Sequence, residues 1–154
     1  MDETFRMHVE SLHPSFERLL GMSPVKIGSL KKPPAKGIYL FSENGKHLYV
    51  GRTRRFRDRV REQSTPSATH NQAVFAFKLA REATGRMDAT YSKKGSRAEL
   101  QNDPQFAEAF SRAKERVRNM DLRFVEETDP LRQALLEIYA AVALGTPYND
   151  FETH

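Results

Sequence analysis

The chain has 154 residues, of which 29% are charged and 38% hydrophobic, a composition that predicts one globular domain rather than a disordered or fibrous protein. It contains no Cys, which excludes disulfides, thiolate catalysis and Cys-based metal sites, and leaves carboxylates and five His as candidate metal ligands. The net charge of +5 lies in one stretch, since six Arg and one Asp occupy positions 52–61, and such a local cationic feature is typical of proteins that bind phosphates.

The first 35 residues are predicted to form an N-terminal helical extension and a connector. Phe5, Val9 and Leu12 recur at helical spacing, and the Pro33-Pro34 pair favours extended chain before the next element. The N-terminus lacks the charged and then apolar pattern of a secretion signal, and no run approaches the roughly 20 apolar residues of a membrane span. We therefore expect a cytoplasmic protein with no membrane partner.

A β-hairpin is predicted next. Residues 37–41 and 46–51 read GIYLF and KHLYVG, and they flank a turn that contains Asn44 and Gly45. Runs of β-branched and aromatic residues on both sides of an Asn-Gly pair are the strongest short-range signal for antiparallel strands.

From Arg54 onward the spacing becomes helical. Phe56 and Val60 share one face of this predicted helix, and Arg55 and Arg59 share another. A guanidinium group offers paired donors to phosphate oxygens, so the arginine run favours a phosphate-binding surface. A solvated helix face is the alternative interpretation of the same run.

The rest of the chain is predicted to alternate helices with one further strand. In order, we expect a polar loop at 64–69, a buried helix at 71–83, a loop at 84–103, an amphipathic helix after Asp103 and Pro104, a strand at 121–127 and a core-packed helix at 131–144. The stripe Leu131, Leu135, Ile138 and Val142 is the face of the last helix that we expect in the core. The fold class is α/β of the α+β type, a three-stranded antiparallel sheet flanked by helices.

Glu137 is an unusual residue in the last predicted helix. It is the one acidic residue between Asp129 and Asp150, and its neighbours are apolar. On a helical wheel it lies about 120° from the middle of the leucine stripe. A buried carboxylate requires a cationic partner, and both a salt bridge to an arginine and a metal ion meet that requirement.

Two tripeptides at hairpin distance carry a resemblance to a known family. The segment Gly37-Ile38-Tyr39 followed by Tyr49-Val50-Gly51 resembles the signature of the GIY-YIG nucleases. The family's catalytic Arg falls eight residues after the second tripeptide's Gly, which is Arg59 here. Its metal-binding Glu precedes a Pro-aromatic-Asn ending, which resembles Glu137 followed by 147–149. The resemblance covers about residues 36–150 and implies a small stand-alone GIY-YIG domain there, after the extension at 1–35.

The resemblance implies a metal-dependent DNA endonuclease, either structure-specific in repair or recombination or restriction-like. It implies that Tyr39, Tyr49 and Arg59 are catalytic and that Glu137 holds Mg²⁺ or Mn²⁺. The residues expected to bind substrate are Arg52, Arg55, Gln63, His70 and Asn149.

Gln63 departs from the family, which often has His or Tyr at this position. Glutamine cannot accept a proton near neutral pH, so either Tyr39 or His70 takes that task. The departure leaves an alternative function open, a nucleic-acid-binding module of the same fold with weakened cleavage. A third interpretation is that the arginines serve RNA or a protein partner, because contacts to the nucleic-acid backbone carry no sequence information.

Overall fold

The structure is a computed structural model that describes residues 1–86 and 97–152. It confirms the α+β class and the three-stranded antiparallel sheet. In chain order the elements are α1 (Glu3–Glu10), α2 (His13–Gly21), a short 3-10 helix (Ile27–Ser29), β1 (Gly37–Glu43), β2 (Lys46–Thr53), α3 (Phe56–Glu62), α4 (Val74–Thr84), α5 (Arg97–Asn102), α6 (Pro104–Arg118), β3 (Asp121–Glu126) and α7 (Pro130–Leu144). Among the described residues, no helix combines the length and the apolar character that a membrane crossing requires.

The chain divides into two compact units, one of Met1–Arg57 with Met120–His154 and one of Asp58–Asn119. This division does not coincide with the predicted boundary between residues 35 and 36. Helix α3 begins in the first unit and ends in the second. Each unit is described by itself below.

The sheet belongs to the first unit, and β1 is its central strand, in the order β2-β1-β3. Asn44 and Gly45 have φ angles of 53° and 78°, the left-handed geometry that a type I′ hairpin turn requires and that these two residue types tolerate. The predicted hairpin and the predicted third strand are therefore both confirmed.

One face of the sheet carries the core of the first unit. Side chains from the N-terminal helices, the strands and α7 meet there in one apolar cluster, which includes Leu12, Phe16, Leu19, Ile38, Leu40, Val50, Val125, Leu136 and Ala140. Because α2 supplies part of this cluster, the N-terminal residues belong to the same core as the strands.

Helix α7 packs with a different face from the one predicted. Leu131, Ile138 and Val142, which were expected in the core, are 50%, 47% and 69% exposed, whereas Leu136 and Ala140 are fully buried. The helix has apolar side chains on two sides. The sheet packs against the side with the small Ala140, which permits close approach. The prediction for this face was therefore wrong for Leu131, Ile138 and Val142, whereas Leu135 of the same stripe is partly buried against the core cluster.

Both edge strands of the sheet form backbone hydrogen bonds with other segments of the same chain. The backbone N–H of Tyr148 donates to the Leu48 carbonyl of β2 at 3.2 Å. On the other side, Val25 and Leu122 of β3 exchange two backbone hydrogen bonds of 2.9 and 2.8 Å. Part of the outer backbone of each edge strand is therefore already hydrogen-bonded.

The second unit is helical, and α4 and α6 pack against each other around an aromatic cluster. The ring of Phe77 lies 5.1 Å from that of Phe106 and 5.6 Å from that of Phe110, between centroids. The side chain of Asp103 accepts hydrogen bonds from the first N–H groups of α6. The predicted buried helix and the predicted amphipathic helix are both confirmed.

Part of the predicted loop at 84–103 is wrong, because α5 occupies Arg97–Asn102. This helix has only six residues, too few for a clear apolar period, which explains why the sequence pattern missed it. Residues 87–96 of the predicted loop lie outside the described residues.

A buried lysine ties the loop after α3 to α6. The ammonium of Lys114 donates to the carbonyls of Pro66 and Ala68 at 2.6 and 3.0 Å and lies 4.2 Å from the centroid of the Phe110 ring. Burial lowers the pKa of this lysine. The long side chain therefore fixes a loop that has little secondary structure of its own.

Candidate functional site

The two glycines of the tripeptides lie where the backbone has no room for a side chain. A Cβ on Gly37 would lie 2.2 Å from the backbone oxygen of Val125 in β3. A Cβ on Gly51 would lie 2.2 Å from Cζ of Tyr39, because the phenol ring crosses over Gly51 on the neighbouring strand. Glycine is thus required at both positions by close approach.

We expect Gly37→Ala to lower the free energy of unfolding by about 1–3 kcal/mol, because the added methyl group meets a backbone oxygen held in the β1–β3 ladder. Gly51→Ala would place its methyl group against the Tyr39 ring, which is enclosed by its neighbours, so we expect a comparable loss and a changed environment for that phenol. Urea unfolding followed by tyrosine fluorescence measures both effects. Gly21→Ala, which adds its methyl group to open space, is the control. Equal stability of Gly37→Ala and the unchanged protein would contradict this account.

Tyr39 and Tyr49 lie on the same face of the sheet, opposite the face that packs on α7. Tyr39 is only 2% exposed, and its ring lies 6.1 Å from that of Phe56 and 6.5 Å from that of Tyr49, between centroids. Tyr49 is half-buried. The structure therefore brings the two predicted catalytic tyrosines together, with the Tyr39 hydroxyl over Gly51 near the end of β2.

Arg52 and Glu137 meet on the other face of the sheet. Arg52 pairs in register with Ile38, whose side chain faces α7. Its Nε lies 3.4 Å from Oε1 of Glu137, and the Glu137 side chain is 27% exposed. Burial raises the pKa of Glu137, and the Arg52 charge opposes that rise. The carboxylate is thus partly desolvated, with a cation as its partner.

The donor set at Glu137 fits a hard divalent cation bound by one protein carboxylate. Among residues 1–86 and 97–152, no group of three His, Asp or Glu side chains is placed to hold a metal ion. Mg²⁺ does not usually require a full set of protein ligands. The ion keeps several waters and binds one or two carboxylates together with substrate phosphates. Glu137 would supply the single protein ligand in that mode.

Asn149 anchors the chain after α7 to the edge of β2. Its Oδ1 accepts from the Val50 N–H at 2.8 Å, and its Nδ2 donates to the Val50 carbonyl, also at 2.8 Å. The Thr146 hydroxyl donates to the same Oδ1 at 2.7 Å. Both ends of the amide thus bond the protein and hold the chain after α7 in place, while the predicted role of Asn149 in fixing the substrate or the waters of the metal stays a prediction.

Four exposed arginines of the first unit lie within six residues of one another in the chain, and we call them the arginine cluster. They are Arg52, Arg54, Arg55 and Arg57. Their backbone is well anchored, since the N–H of Arg55 donates to the Thr53 hydroxyl and the N–H of Phe56 donates to the Ala35 carbonyl, both at 2.9 Å.

Arg59 lies in the second unit, where one nitrogen of its guanidinium group is anchored. Nη1 donates to the carbonyls of Gln72 and Asn71 at 2.6 and 3.4 Å and lies 3.3 Å from the Glu62 carboxylate. These contacts fix the orientation of the half-buried side chain.

Gln63 and His70 also belong to the second unit. Gln63 is fully buried, and its Oε1 accepts from the Phe75 N–H at 3.3 Å, in the first turn of α4. The residue before α4, Ala73, cannot supply a side-chain cap, so Gln63 takes that role. This burial argues against the predicted substrate contact. His70 is half-buried, with its ring 5.9 Å from that of Phe77.

Sequence reasoning missed a partly buried Ser–His contact on the hairpin. The Ser42 hydroxyl oxygen lies 2.6 Å from Nδ1 of His47. Burial and, second, the charge of Arg123 lower the pKa of His47. The pairing of these two residues depends on the irregular register after Phe41, which the sequence pattern does not reveal.

The lowered pKa of His47 predicts a pH-dependent stability. The folded protein favours the neutral imidazole, so this contribution is complete above about pH 6.5, the unfolded-state pKa, and is lost as pH falls through the lower folded-state pKa. We expect the urea midpoint to fall on acidification and His47→Gln to weaken that fall. His13→Gln, which changes an exposed histidine, is the control. An unchanged pH profile in His47→Gln would contradict the assignment.

Comparison of the chain with known proteins finds no relative that would identify this site. No protein-family model, no curated protein and no solved structure matches the chain. The resemblance to the GIY-YIG nucleases therefore stays a prediction, which depends on the two tripeptides, Arg59 and Glu137.

Proposed function

We propose that the chain is a GIY-YIG-like nuclease that hydrolyses DNA phosphodiester bonds with Mg²⁺ or Mn²⁺, either structure-specific in repair or recombination or restriction-like. The observation that carries the proposal is the pairing of the two tripeptides on β1 and β2, with the Tyr39 ring lying across Gly51. The partly desolvated carboxylate of Glu137 contacts Arg52, the residue after Gly51, on the face of the sheet opposite Tyr39.

In the proposed reaction each residue has a role that suits its chemistry. Glu137 would hold the divalent ion, which when bound polarises the scissile phosphate and stabilises the leaving oxygen. Tyr39 would orient the attacking water and, once its own phenol has lost its proton, accept the proton that the water releases. Tyr49 would support Tyr39 across the hairpin. Arg59 would neutralise the charge that develops on the phosphoryl oxygens. The role of Arg59 is carried by the resemblance alone.

The arginine cluster supports nucleic acid as the substrate. Its four exposed arginines lie within six residues of one another, and Arg52 contacts the Glu137 carboxylate. Guanidinium groups bind phosphate oxygens with paired hydrogen bonds. RNA offers the same phosphates as DNA, so both are included in the test.

The proposal is tested by incubating the purified protein with linear, nicked, flapped and branched DNA, and with single-stranded RNA. We expect product from at least one DNA substrate with Mg²⁺ or Mn²⁺ and none with EDTA. Cleavage that persists in EDTA, or the absence of cleavage on every substrate with either ion, would contradict the proposal.

We expect binding to weaken steeply with salt, because each neutralised phosphate releases counterions. For a duplex bound by the arginine cluster, the slope of log K against log salt should be about −3 to −4. Arg54→Gln should reduce the slope by about one, whereas Lys26→Gln, which removes a partner of Asp121, should leave it unchanged. Fluorescence anisotropy with a labelled duplex measures this. A flat salt response would contradict a phosphate-binding cluster.

A second candidate is a nucleic-acid-binding module of the same fold with weakened cleavage. Two observations favour it: Tyr39 is almost fully enclosed, and Gln63 is a buried helix cap. In this case the protein binds the same DNAs with the same salt dependence but yields no product with either metal ion.

A further inference from the structure

Arg52 takes part in two arrangements that compete for its side chain. It belongs to the exposed arginine cluster, and its side chain is 49% exposed. At the same time its Nε contacts the Glu137 carboxylate at 3.4 Å. A guanidinium group that is half in solvent can leave such a contact without disturbing the core.

The contact occupies the carboxylate to which the proposed function assigns the divalent ion. A guanidinium group and a metal ion both require the negative charge of the same oxygens. If both were present they would repel each other, and the repulsion is stronger here than in water because Glu137 is partly buried. Binding of the ion and contact with Arg52 therefore oppose each other.

A nucleic-acid phosphate offers Arg52 an alternative partner. When the guanidinium group turns to a phosphate oxygen, the carboxylate loses its cation while it remains partly buried. A divalent ion then restores the lost neutralisation. By linkage, whatever draws Arg52 away from Glu137 raises the affinity for the ion, and the ion raises the affinity for the phosphate by the same factor.

We propose that Arg52 is a positioning residue that competes with the divalent ion for Glu137, and that a nucleic-acid phosphate displaces it, so that the ion and the substrate bind cooperatively. This inference rests on the proposed function, because it takes Glu137 as the metal ligand. It adds a reason why an exposed arginine should lie directly against that ligand.

The first experiment measures Mn²⁺ binding to the protein alone by electron paramagnetic resonance, with no cleavage involved. We expect Arg52→Gln to bind Mn²⁺ at least fivefold more tightly than the unchanged protein, the lower end of typical coupling between sites. Arg54→Gln, the matched control from the same cluster, should change the affinity less than twofold. Arg52→Lys, which keeps the charge, should resemble the unchanged protein. Glu137→Gln should lose the ion.

The second experiment repeats the titration with a phosphorothioate duplex, which keeps the backbone charge and resists hydrolysis. A titration of the Glu137→Gln variant with the same duplex measures the Mn²⁺ that the DNA itself binds, and this amount is subtracted. We expect the duplex to tighten Mn²⁺ binding in every variant that keeps Glu137, because its phosphates are themselves ligands of the ion. The tightening should be at least fivefold greater in the unchanged protein and in Arg54→Gln than in Arg52→Gln, where the competitor is already absent.

The outcomes separate this inference from the proposed function. If Arg52→Gln and the unchanged protein bind Mn²⁺ equally while Glu137→Gln loses the ion, the competition is refuted and the proposed metal site stands. If Glu137→Gln binds Mn²⁺ as tightly as the unchanged protein, the metal site itself is refuted, and the inference with it. Circular dichroism verifies the fold of each variant, and Arg52→Lys provides a second test of the charge effect.

Discussion

A Glu137→Gln variant is expected to lose metal-dependent cleavage by at least about a thousandfold while keeping its fold. The amide has the size of the carboxylate, so the packing of α7 is retained, but it has no charge to hold the ion. A metal ion contributes several kcal/mol to stabilising the transition state, and each 1.4 kcal/mol is a factor of ten in rate. Single-turnover cleavage with saturating protein measures the loss directly.

The control for this variant is Glu126→Gln, which removes an exposed carboxylate at the end of β3. It should cleave at the rate of the unchanged protein. If Glu137→Gln retained that rate as well, Glu137 would be only the salt-bridge partner of Arg52.

We expect Arg59→Ala to lower turnover by about 10²- to 10³-fold, with a change in DNA affinity of less than tenfold. A donor aimed at charge that develops in the transition state affects the rate more than ground-state binding. Arg55→Ala, from the exposed cluster, should weaken binding and leave saturated turnover near its original value. Rates at saturating protein and anisotropy titrations separate the two effects.

Arg59 also bonds the carbonyls of Gln72 and Asn71, so its loss affects the second unit as well. Thermal unfolding of Arg59→Ala and of Arg59→Lys, which retains the charge, shows how much of the effect is structural. Equal losses of affinity in Arg55→Ala and Arg59→Ala, with turnover unchanged in both, would reduce Arg59 to one more phosphate contact.

The parts of the fold that the sequence predicts are those set by local chemistry. The hairpin depends on Asn44 and Gly45, which adopt positive φ angles at low cost. The start of α6 depends on the capping side chain of Asp103. In both cases the residues that determine the structure are neighbours in the chain.

The orientation of α7 shows where local pattern is insufficient. Leu131 and Ile138 form a stripe at helical spacing, but so do Leu136 and Ala140, and only the second pair is buried. Which stripe enters the core depends on the shape of the sheet that receives it. Helical periodicity identifies the helix but does not choose between two apolar faces.

Contacts between residues far apart in the chain, both at the candidate site and elsewhere in the second unit, are likewise not predicted by local sequence pattern. The resemblance indicates the position of Gln63, but its role as a cap depends on Phe75, 12 residues further along the chain. Lys114 likewise bonds the carbonyl of Pro66 across 48 residues, and a lysine in a helix would ordinarily be assigned to the surface. Contacts of this kind arise only once the chain is folded.

The hydrogen bonds at the two sheet edges affect the tendency of this protein to self-associate through its strands. Strands such as GIYLF and KHLYV have the β-propensity of segments that add to one another in amyloid-like assemblies when their backbone is accessible. An open edge strand is the template for that addition. Because Tyr148 and Asn149 bond the outer side of β2, and Val25 bonds that of β3, each edge offers less free backbone to an incoming strand. The hydrogen bonds at both edges therefore protect this small sheet against strand addition along the stretches that they occupy.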